Sequence, residues 1–324
     1  MLNRGIGCDI VNQKEIFYQD KENCKVPFSH VMEPLPDPSL SVIDEIYGAA
    51  DTLSILNAKK HDRILLSLSI IGTLITLSFL LYDAMDFFGL ILACAVMILF
   101  LFLINHFANK FDCHKKYLEY RVLAESLRVQ FFLSMASINL QVSDIMPWFI
   151  KKGIPWIEEV LLSLPQVQIA EKMPIVDCWI IDQKEYHKGA LSRAEAKKHR
   201  DEIITKLAIV ITVVTYVIAV FFEIFVYGNI YVDSNEFMIR SILKIFLGTM
   251  SAFTLFTGSY YGKLSLSNRI DDHKRMISLY EQAESDISQQ GETDELLLFL
   301  AREFLIENST WYAYQSKNKP DIVI

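Results

Sequence analysis

Two blocks of nearly uncharged apolar residues, each long enough for two membrane crossings, constrain this chain more than any other feature of its sequence. Residues 64–82 read ILLSLSIIGTLITLSFLLY and residues 87–108 read FFGLILACAVMILFLFLINHFA. Residues 207–231 read LAIVITVVTYVIAVFFEIFVYGNIY and residues 239–262 read IRSILKIFLGTMSAFTLFTGSYYG. Each run is close to the roughly 20 residues that cross a hydrocarbon core at 1.5 Å per residue. Their apolarity is continuous, unlike the alternation of outer-membrane strands. The expected fold is therefore an all-α membrane protein with four transmembrane helices.

The connections decide how these helices pair. Asp83-Ala84-Met85-Asp86 is too short for anything but a tight reversal, and the polar stretch 232–238 separates the second pair. Two hairpins with long cytosolic helical extensions follow. The tips lack Lys and Arg and carry Asp83, Asp86, Asp233 and Glu236. The opposite ends are flanked by Lys59, Lys60, Arg63, Lys110, Lys115, Lys116, Lys197, Lys198, Arg200, Lys206, Lys263 and Arg269. The positive-inside rule puts the tips outside and both termini in the cytoplasm. Tyr82, Phe87, Phe88, Tyr227, Tyr231, Tyr260 and Tyr261 suit interfacial belts.

Residues 1–50 include Arg4, Asp9, Lys14, Glu15, Asp20 and Glu22 without a sustained apolar core, so the first membrane helix is expected to direct insertion rather than a cleaved signal. The expected organisation is a cytosolic segment 1–62, hairpin one over 63–108, a cytosolic helix and connector over 109–205, hairpin two over 206–262 and cytosolic helices over 263–324. The net charge of -8 argues against nucleic acid as a partner, since phosphates need a basic surface. Five cysteines, at 8, 24, 94, 113 and 178, share no ligand spacing and read as reduced thiols.

The chain reads as a duplication. Asp112-Cys113-His114-Lys115-Lys116 recurs as Asp271-Asp272-His273-Lys274-Arg275, and at the same offset Ala124-Glu125-Ser126 recurs as Ala283-Glu284-Ser285. Both hairpins start and end on the same side, which is not the inverted arrangement of many secondary transporters.

Residues 111–140 contain no Pro or Gly and space Tyr117, Tyr120, Ala124, Leu127, Phe131 and Met135 by three and four, predicting one long helix continuing from the second span. After the second hairpin the pattern breaks at Gly291, and Thr293 followed by Asp294 and Glu295 predicts an N-cap. Residues 141–180 hold Pro147, Pro155, Pro165, Pro174, Trp148, Trp156 and Trp179. They read as an irregular connector with an amphipathic helix over 156–164, lying at the membrane interface or else forming a ligand pocket. Residues 189–206 predict a charged helix feeding hairpin two. Pro27, Pro34, Pro36 and Pro38 predict an extended N-terminal segment until a helix from about Ser41.

Several residues could carry function. Glu223, with Arg240 and Lys244 at a similar depth in the next span, makes an interhelical ion pair natural; such a pair either holds the hairpin or lines and gates a pore. Asn105 and His106 close the second span, where interface hydrogen bonding competes with a pore-lining role. Gly248 and Gly258 suit close helix packing. No Gly-rich phosphate loop, nucleophile elbow, HExxH or CxxC pair is present, so neither a catalytic residue, a metal nor a cofactor is expected. Asn308-Ser309-Thr310 forms a sequon on the cytoplasmic side and is expected to stay unmodified.

The hairpin with a short acidic tip, followed by KKYLEYRVLAESLRVQFFL from Lys115, resembles the SMODS and SLOG-associating two-transmembrane effector family, SLATT. The resemblance rests on Tyr120-Arg121, Ala124-Glu125 and Leu127-Arg128, and on Ala301-Arg302-Glu303-Phe304 through Glu307 and Trp311. It spans about residues 45–140 and 205–320. The chain departs from that family in carrying two hairpins, and its N-terminal segment is too short for a SLOG sensing domain.

The resemblance implies an effector of a bacterial conflict or antiphage system. Such a multi-pass protein would form a homo-oligomer in the lipid bilayer of the bacterial inner (plasma) membrane, and would perforate or depolarise that membrane when a nucleotide signal or a nucleotide-sensing partner protein activates it. Arg121, Glu125, Arg128, Glu284, Glu303, Glu307 and Trp311 are then candidates for a cytosolic switch or oligomerisation helix. The competing readings are a constitutive ion channel or small-solute transporter using Glu223 and Lys244, and a membrane scaffold docking a cytosolic partner.

Overall fold

The computed structural model describes residues 3–28, 35, 37–167, 169, 173, 175–226, 234–264 and 266–317, with backbone alone for 3–11, 223, 226, 234–237, 263 and 264. Among these residues all the regular structure is helical, with no strand. Its α-helices are α1 (Asn3–Asn23), α2 (Pro38–Met85), α3 (Phe88–Phe111), α4 (Cys113–Met135), α5 (Val142–Ile145), α6 (Trp148–Gly153), α7 (Pro155–Leu162), α8 (Asp182–Phe221), α9 (Ser234–Leu264), α10 (Leu266–Gln290) and α11 (Asp294–Gln315). Four helices are long and apolar enough to cross a membrane, and their most apolar windows are 11%, 6%, 6% and 0% buried. Surface this apolar and this exposed is unfavourable in water and is accommodated by lipid tails, as in a membrane protein.

The residues divide into two compact units. Of the described residues, the first comprises those within 1–60, 112–191 and 271–317, and the second those within 61–111 and 192–270. A long helix, an apolar helix and a third helix succeed one another as α2-α3-α4 and again as α8-α9-α10, in line with the duplicated motifs.

In the second unit, small residues set helix approach. A Cβ at Gly248 would meet Leu80 at 2.6 Å, and one at Gly72 would meet the Phe256 ring at 2.5 Å. Ser69 Oγ donates to the Phe256 carbonyl at 3.3 Å, and Cys94 Sγ to the Ile75 carbonyl at 3.6 Å. Gly258, expected to serve close packing, faces open space instead. The helix α9 starts at Ser234, so part of the polar stretch 232–238 is helical. Tyr227, Tyr231 and Asp233 lie outside the described residues.

The first unit packs α4 at its centre, and four expectations need correcting there. The N-terminal segment is not extended: α1 is helical because all its prolines come later, and its Phe17 is fully buried between Tyr120 and Trp156. Asp20 accepts from Lys116 Nζ and from the Tyr120 hydroxyl, both at 2.7 Å. The next helix begins at Pro38, ahead of Ser41, because Asp37 Oδ1 accepts from the Ser39 N–H at 2.5 Å while proline suits the first helical position.

The single long helix expected over 111–140 is interrupted at Asp112, in the left-handed region at φ 46°, a conformation that Asp tolerates better than most side chains. It also ends early, in a Schellman motif at Ser137 (φ 57°): Ile138 N–H donates to the Leu133 carbonyl and Ser137 N–H to that of Ser134.

The connector is not a purely interfacial element either. Trp156 and Trp179 are 1% exposed inside the core, the first donating its indole N–H to Glu119 Oε2 at 2.9 Å, the second stacked on Phe132 at 5.2 Å. Of these tryptophans Trp148 alone remains outward, 73% exposed. Glu119 is pushed above the usual carboxylate range by its burial. Pro174 lies outside the described residues.

Three sequence readings agree with the structure. An amphipathic helix occupies 155–162. Gly291 breaks the chain at φ +80° after α10, and Thr293 caps α11 by accepting from Leu296 N–H at 3.3 Å. The charged stretch 189–206 is part of α8.

Candidate functional site

The first unit encloses a network of charged groups that five helices build together. Positions 121, 125 and 128 recur at spacings of four and three, so they fall on one face of α4. This face meets Tyr47 and Asp51, one turn apart on α2, and Gln183 and His187, one turn apart on α8. His273 and Tyr280 come from α10, and Glu307 from α11.

Each guanidinium is shared. Arg121 donates to Asp51 Oδ1 at 2.9 Å and pairs with Glu125 Oε1 at 2.5 Å. Arg128 donates to Glu125 Oε2 at 2.8 Å, to Gln183 Oε1 at 2.9 Å and to the Tyr47 hydroxyl at 2.7 Å, with its guanidinium carbon 5.3 Å from the Tyr47 ring centre. The side chains of Arg128 and Asp51 are each only 13% exposed. Two arginines therefore balance two carboxylates away from bulk water, where each hydrogen bond is stronger and each unpaired charge costlier than at the surface.

Beside this neutral group, His187 Nδ1 and His273 Nδ1 stand 3.0 Å apart. One nitrogen must donate and the other accept, so the contact is compatible with two neutral rings or a single added proton, not with two imidazolium ions. The His187 ring also lies 5.7 Å from that of Tyr280, whose ring packs tilted against Phe304 of α11 with centres 5.0 Å apart. Lys184 on α8 pairs with Glu284 on α10.

The electrostatics follow from this packing. Burial works against a charge on Glu125, but Arg121 and Arg128 more than offset it and hold the carboxyl below its ordinary range. His187 is pushed down to about 4, first by burial and then by His273. Glu307 is pushed up to about 7 by burial, helped by the charges of Glu125 and Asp272. Burial also raises Tyr280. The arrangement can tie five helices into one conformation, and it changes its charge balance when His187 or Glu307 changes protonation.

The other candidates sit as follows. Trp311 packs edge-to-face on Tyr117 at 5.6 Å, away from the ion network. Glu303 is half-buried on α11, and Asn105 half-buried on α3. In the second unit Arg240 is half-buried and Lys244 exposed, while the side chain of Glu223 lies outside the described residues. The backbone at Glu223 belongs to a short π-helical segment, Phe222–Val226, a distortion found often at functional positions. His114 and His273, equivalent in the duplication, face different partners: His114 Nε2 lies 3.0 Å from the Gln315 carbonyl. Asn308 of the sequon is 5% exposed, with its amide 3.5 Å from the Val122 carbonyl, which removes it from modification in the folded chain.

Sequence reading missed Tyr47, Asp51, Gln183, His187, Tyr280 and the pairing of His187 with His273. Their only local signal is the one-turn spacing of Tyr47 with Asp51 and of Gln183 with His187, which is common on any helix. No family model, no curated protein and no solved structure matches the chain.

Proposed function

We propose that this chain is a multi-pass effector of a bacterial inner membrane, in which the two apolar helix pairs form hairpins with outward tips and the first unit is a cytosolic switch. On this reading the chain oligomerises and depolarises the membrane when a nucleotide signal or a sensing partner loosens the ion network. The observation that carries it is the contrast between the units. The apolar windows of four helices are almost entirely uncovered, whereas the helices around α4 close on a hydrogen-bonded set of part-buried charges. The resemblance of residues 115–133 and 301–311 to SLATT effectors supports the same reading.

Such a network suits a switch because its members are satisfied together or not at all. Loss of one ion pair leaves a buried charge uncompensated and favours a different packing of α2, α4, α8, α10 and α11. The helices α2 and α8 run from this packing into the apolar segments without an intervening loop.

The test is inducible expression in bacteria carrying a membrane-potential dye, with and without phage challenge. Wild type is compared with a Glu223→Gln, Lys244→Met double variant and with Arg121→Ala. Depolarisation that the double variant loses would support a pore along the second apolar pair. Depolarisation by Arg121→Ala without phage challenge, at unchanged membrane insertion, would support the switch, and a potential like that of wild type would count against it. Constitutive flux that leaves growth intact would favour a channel or transporter, and an undisturbed potential under both conditions would favour a scaffold.

A further inference from the structure

Three helices of the first unit gather at one end of it. Ser54 Oγ of α2 donates to the Tyr117 carbonyl at 3.0 Å, and further along Asp51 meets Arg121 and Tyr47 meets Arg128, so α2 and α4 run antiparallel. The same holds for α11 and α4. Asn308 meets the Val122 carbonyl, Trp311 packs on Tyr117, and the Gln315 carbonyl lies 3.0 Å from His114 Nε2. The C-terminal end of α11 therefore lies beside the start of α4, as does the stretch of α2 that follows Ser54.

Chain connectivity fixes the level of this end. The helix α2 continues without a break into the apolar run that starts at Ile64, and only Asp112 separates α4 from α3. Lys60 precedes Ile64 by four residues, about 6 Å of helix. With Gln315 beside His114, Lys317 is level with Asp112, four residues and again about 6 Å beyond the run that ends at Ala108. The headgroup layer on each side of a hydrocarbon core is about 5–7 Å thick, so Lys59, Lys60 and Lys317 all reach it.

The charges there are uneven. Lys115 approaches Glu119 at 3.8 Å and Lys116 pairs with Asp20 at 2.7 Å. Lys59, Lys60 and Lys317 are exposed, and among the described residues no carboxylate pairs with any of them. Burial pushes the Cys113 thiol up, and the nearby charges of Lys60 and Lys116 offset part of that shift. Tyr314, one turn before Lys317, is 43% exposed and carries the amphipathic ring that suits a membrane–water boundary. Uncompensated ammonium groups in a headgroup layer attract phosphate, which lysine meets as a point charge. Each lysine near an anionic leaflet strengthens attachment about fivefold.

We propose that Lys59, Lys60 and Lys317 bind the phosphate headgroups of anionic lipids, and that these lipids hold the end of α11 to the membrane. The lysines of α2 flank a span directly. Lys317 lies 55 residues past the last apolar run and reaches the same layer only because α11 runs back along α4. Since α11 also carries Glu307, headgroups that pin its end keep it on α4 and favour the packing in which the ion network is closed. The inference rests on the membrane reading of the apolar helices, and on neither the pore nor the activating signal.

The experiment is thermal unfolding of the full chain in nanodiscs of phosphatidylcholine, alone or with about a third phosphatidylglycerol, at low salt. The buried Trp156 and Trp179 report on the first unit. Phosphatidylglycerol is expected to raise the midpoint by a few degrees. Lys317→Gln should lose about a third of that rise, and the Lys59→Gln, Lys60→Gln, Lys317→Gln triple variant nearly all of it. Lys152→Gln, at an exposed lysine of α6, should keep it. Midpoints in phosphatidylcholine alone show that each variant folds. A full rise in the triple variant, or no rise in wild type, would overturn the proposal. A full rise in Lys317→Gln would remove α11 from the site and overturn it as well. In the remaining arm, about 10 mM inorganic phosphate is added over plain phosphatidylcholine discs. A rise equal to that from the lipid would assign the lysines to a soluble anion and also overturn the proposal; no rise is expected. Unfolding reads the first unit whether or not the membrane depolarises, so failure of the pore reading leaves the result interpretable.

Discussion

Glu307→Gln offers the most direct probe of the charge network, because it removes one titrating group with little change of shape. Burial moves this carboxyl from 4.5 to about 7 in the folded chain. Between those values the folded state binds a proton that the unfolded state has released, so stability is greatest below about pH 4.5 and declines as pH rises to about 7, with no further change above. At 1.36 kcal/mol per pH unit the full gap is worth ~3.4 kcal/mol. The side chain keeps some contact with solvent, which screens the charge, so about 1–2 kcal/mol is the expected effect. Glutamine stays neutral throughout. The variant should therefore unfold with wild type at pH 4.5 and be more stable at pH 8, by a few degrees for a unit of this size. Thermal unfolding in detergent, followed through the fluorescence of the buried Trp156 and Trp179, measures this unit directly. Parallel curves for the two proteins from pH 4.5 to 8 would refute the reasoning, and a variant less stable at pH 8 would mean that the Glu307 charge has a cationic partner.

The remaining predictions use the same assay or a simpler one. His187→Gln should flatten the loss of stability on acidification from pH 6.5 towards 4, because a histidine held down at about 4 stabilises the fold only while neutral; an unchanged acid limb would count against it. Glu125→Ala leaves Arg121 and Arg128 facing each other without their shared carboxylate, at an expected cost of about 2–4 kcal/mol in denaturant midpoint analysis. Trp179→Ala removes a side chain packed between Phe132 and Phe304, and should lower stability by about 3–5 kcal/mol. Gly291→Ala meets no atom within 4 Å, so its expected cost of about 1 kcal/mol comes from the backbone at φ +80° alone; a loss above 3 kcal/mol would show a packing role.

Helix type and placement were legible in the sequence wherever the cause is local. Four runs of apolar residues need no partner to announce themselves, because length and apolarity sufficient to cross a membrane are properties of each run and not of another part of the chain. The break at Gly291 and the cap at Thr293 depend on residues within one turn of each other, as does the helix over 155–162. Local pattern failed where neighbours tipped the balance: the Asp112 turn contains no helix breaker, and the prolines near residue 34 concealed a helix that precedes them.

The candidate site was half legible. Arg121, Glu125 and Arg128 stand out as one face of one helix, since their spacing is set by 3.6 residues per turn. Their partners Asp51, Gln183 and His187 lie 70, 55 and about 60 residues away along the chain, and His273 meets His187 across 86. No periodicity connects positions so far apart. Which tryptophan enters the core and which stays outside was also undecidable from composition, because Trp suits an interface and an interior equally well. Sequence alone was enough to identify four helices apolar enough to cross a membrane, and to place the break at Gly291 and the cap at Thr293, because these follow from the chemistry of neighbouring residues. Only the tertiary structure decided which charges share a buried site and that the end of α11 lies beside the start of α4, because those depend on packing between segments distant in the chain.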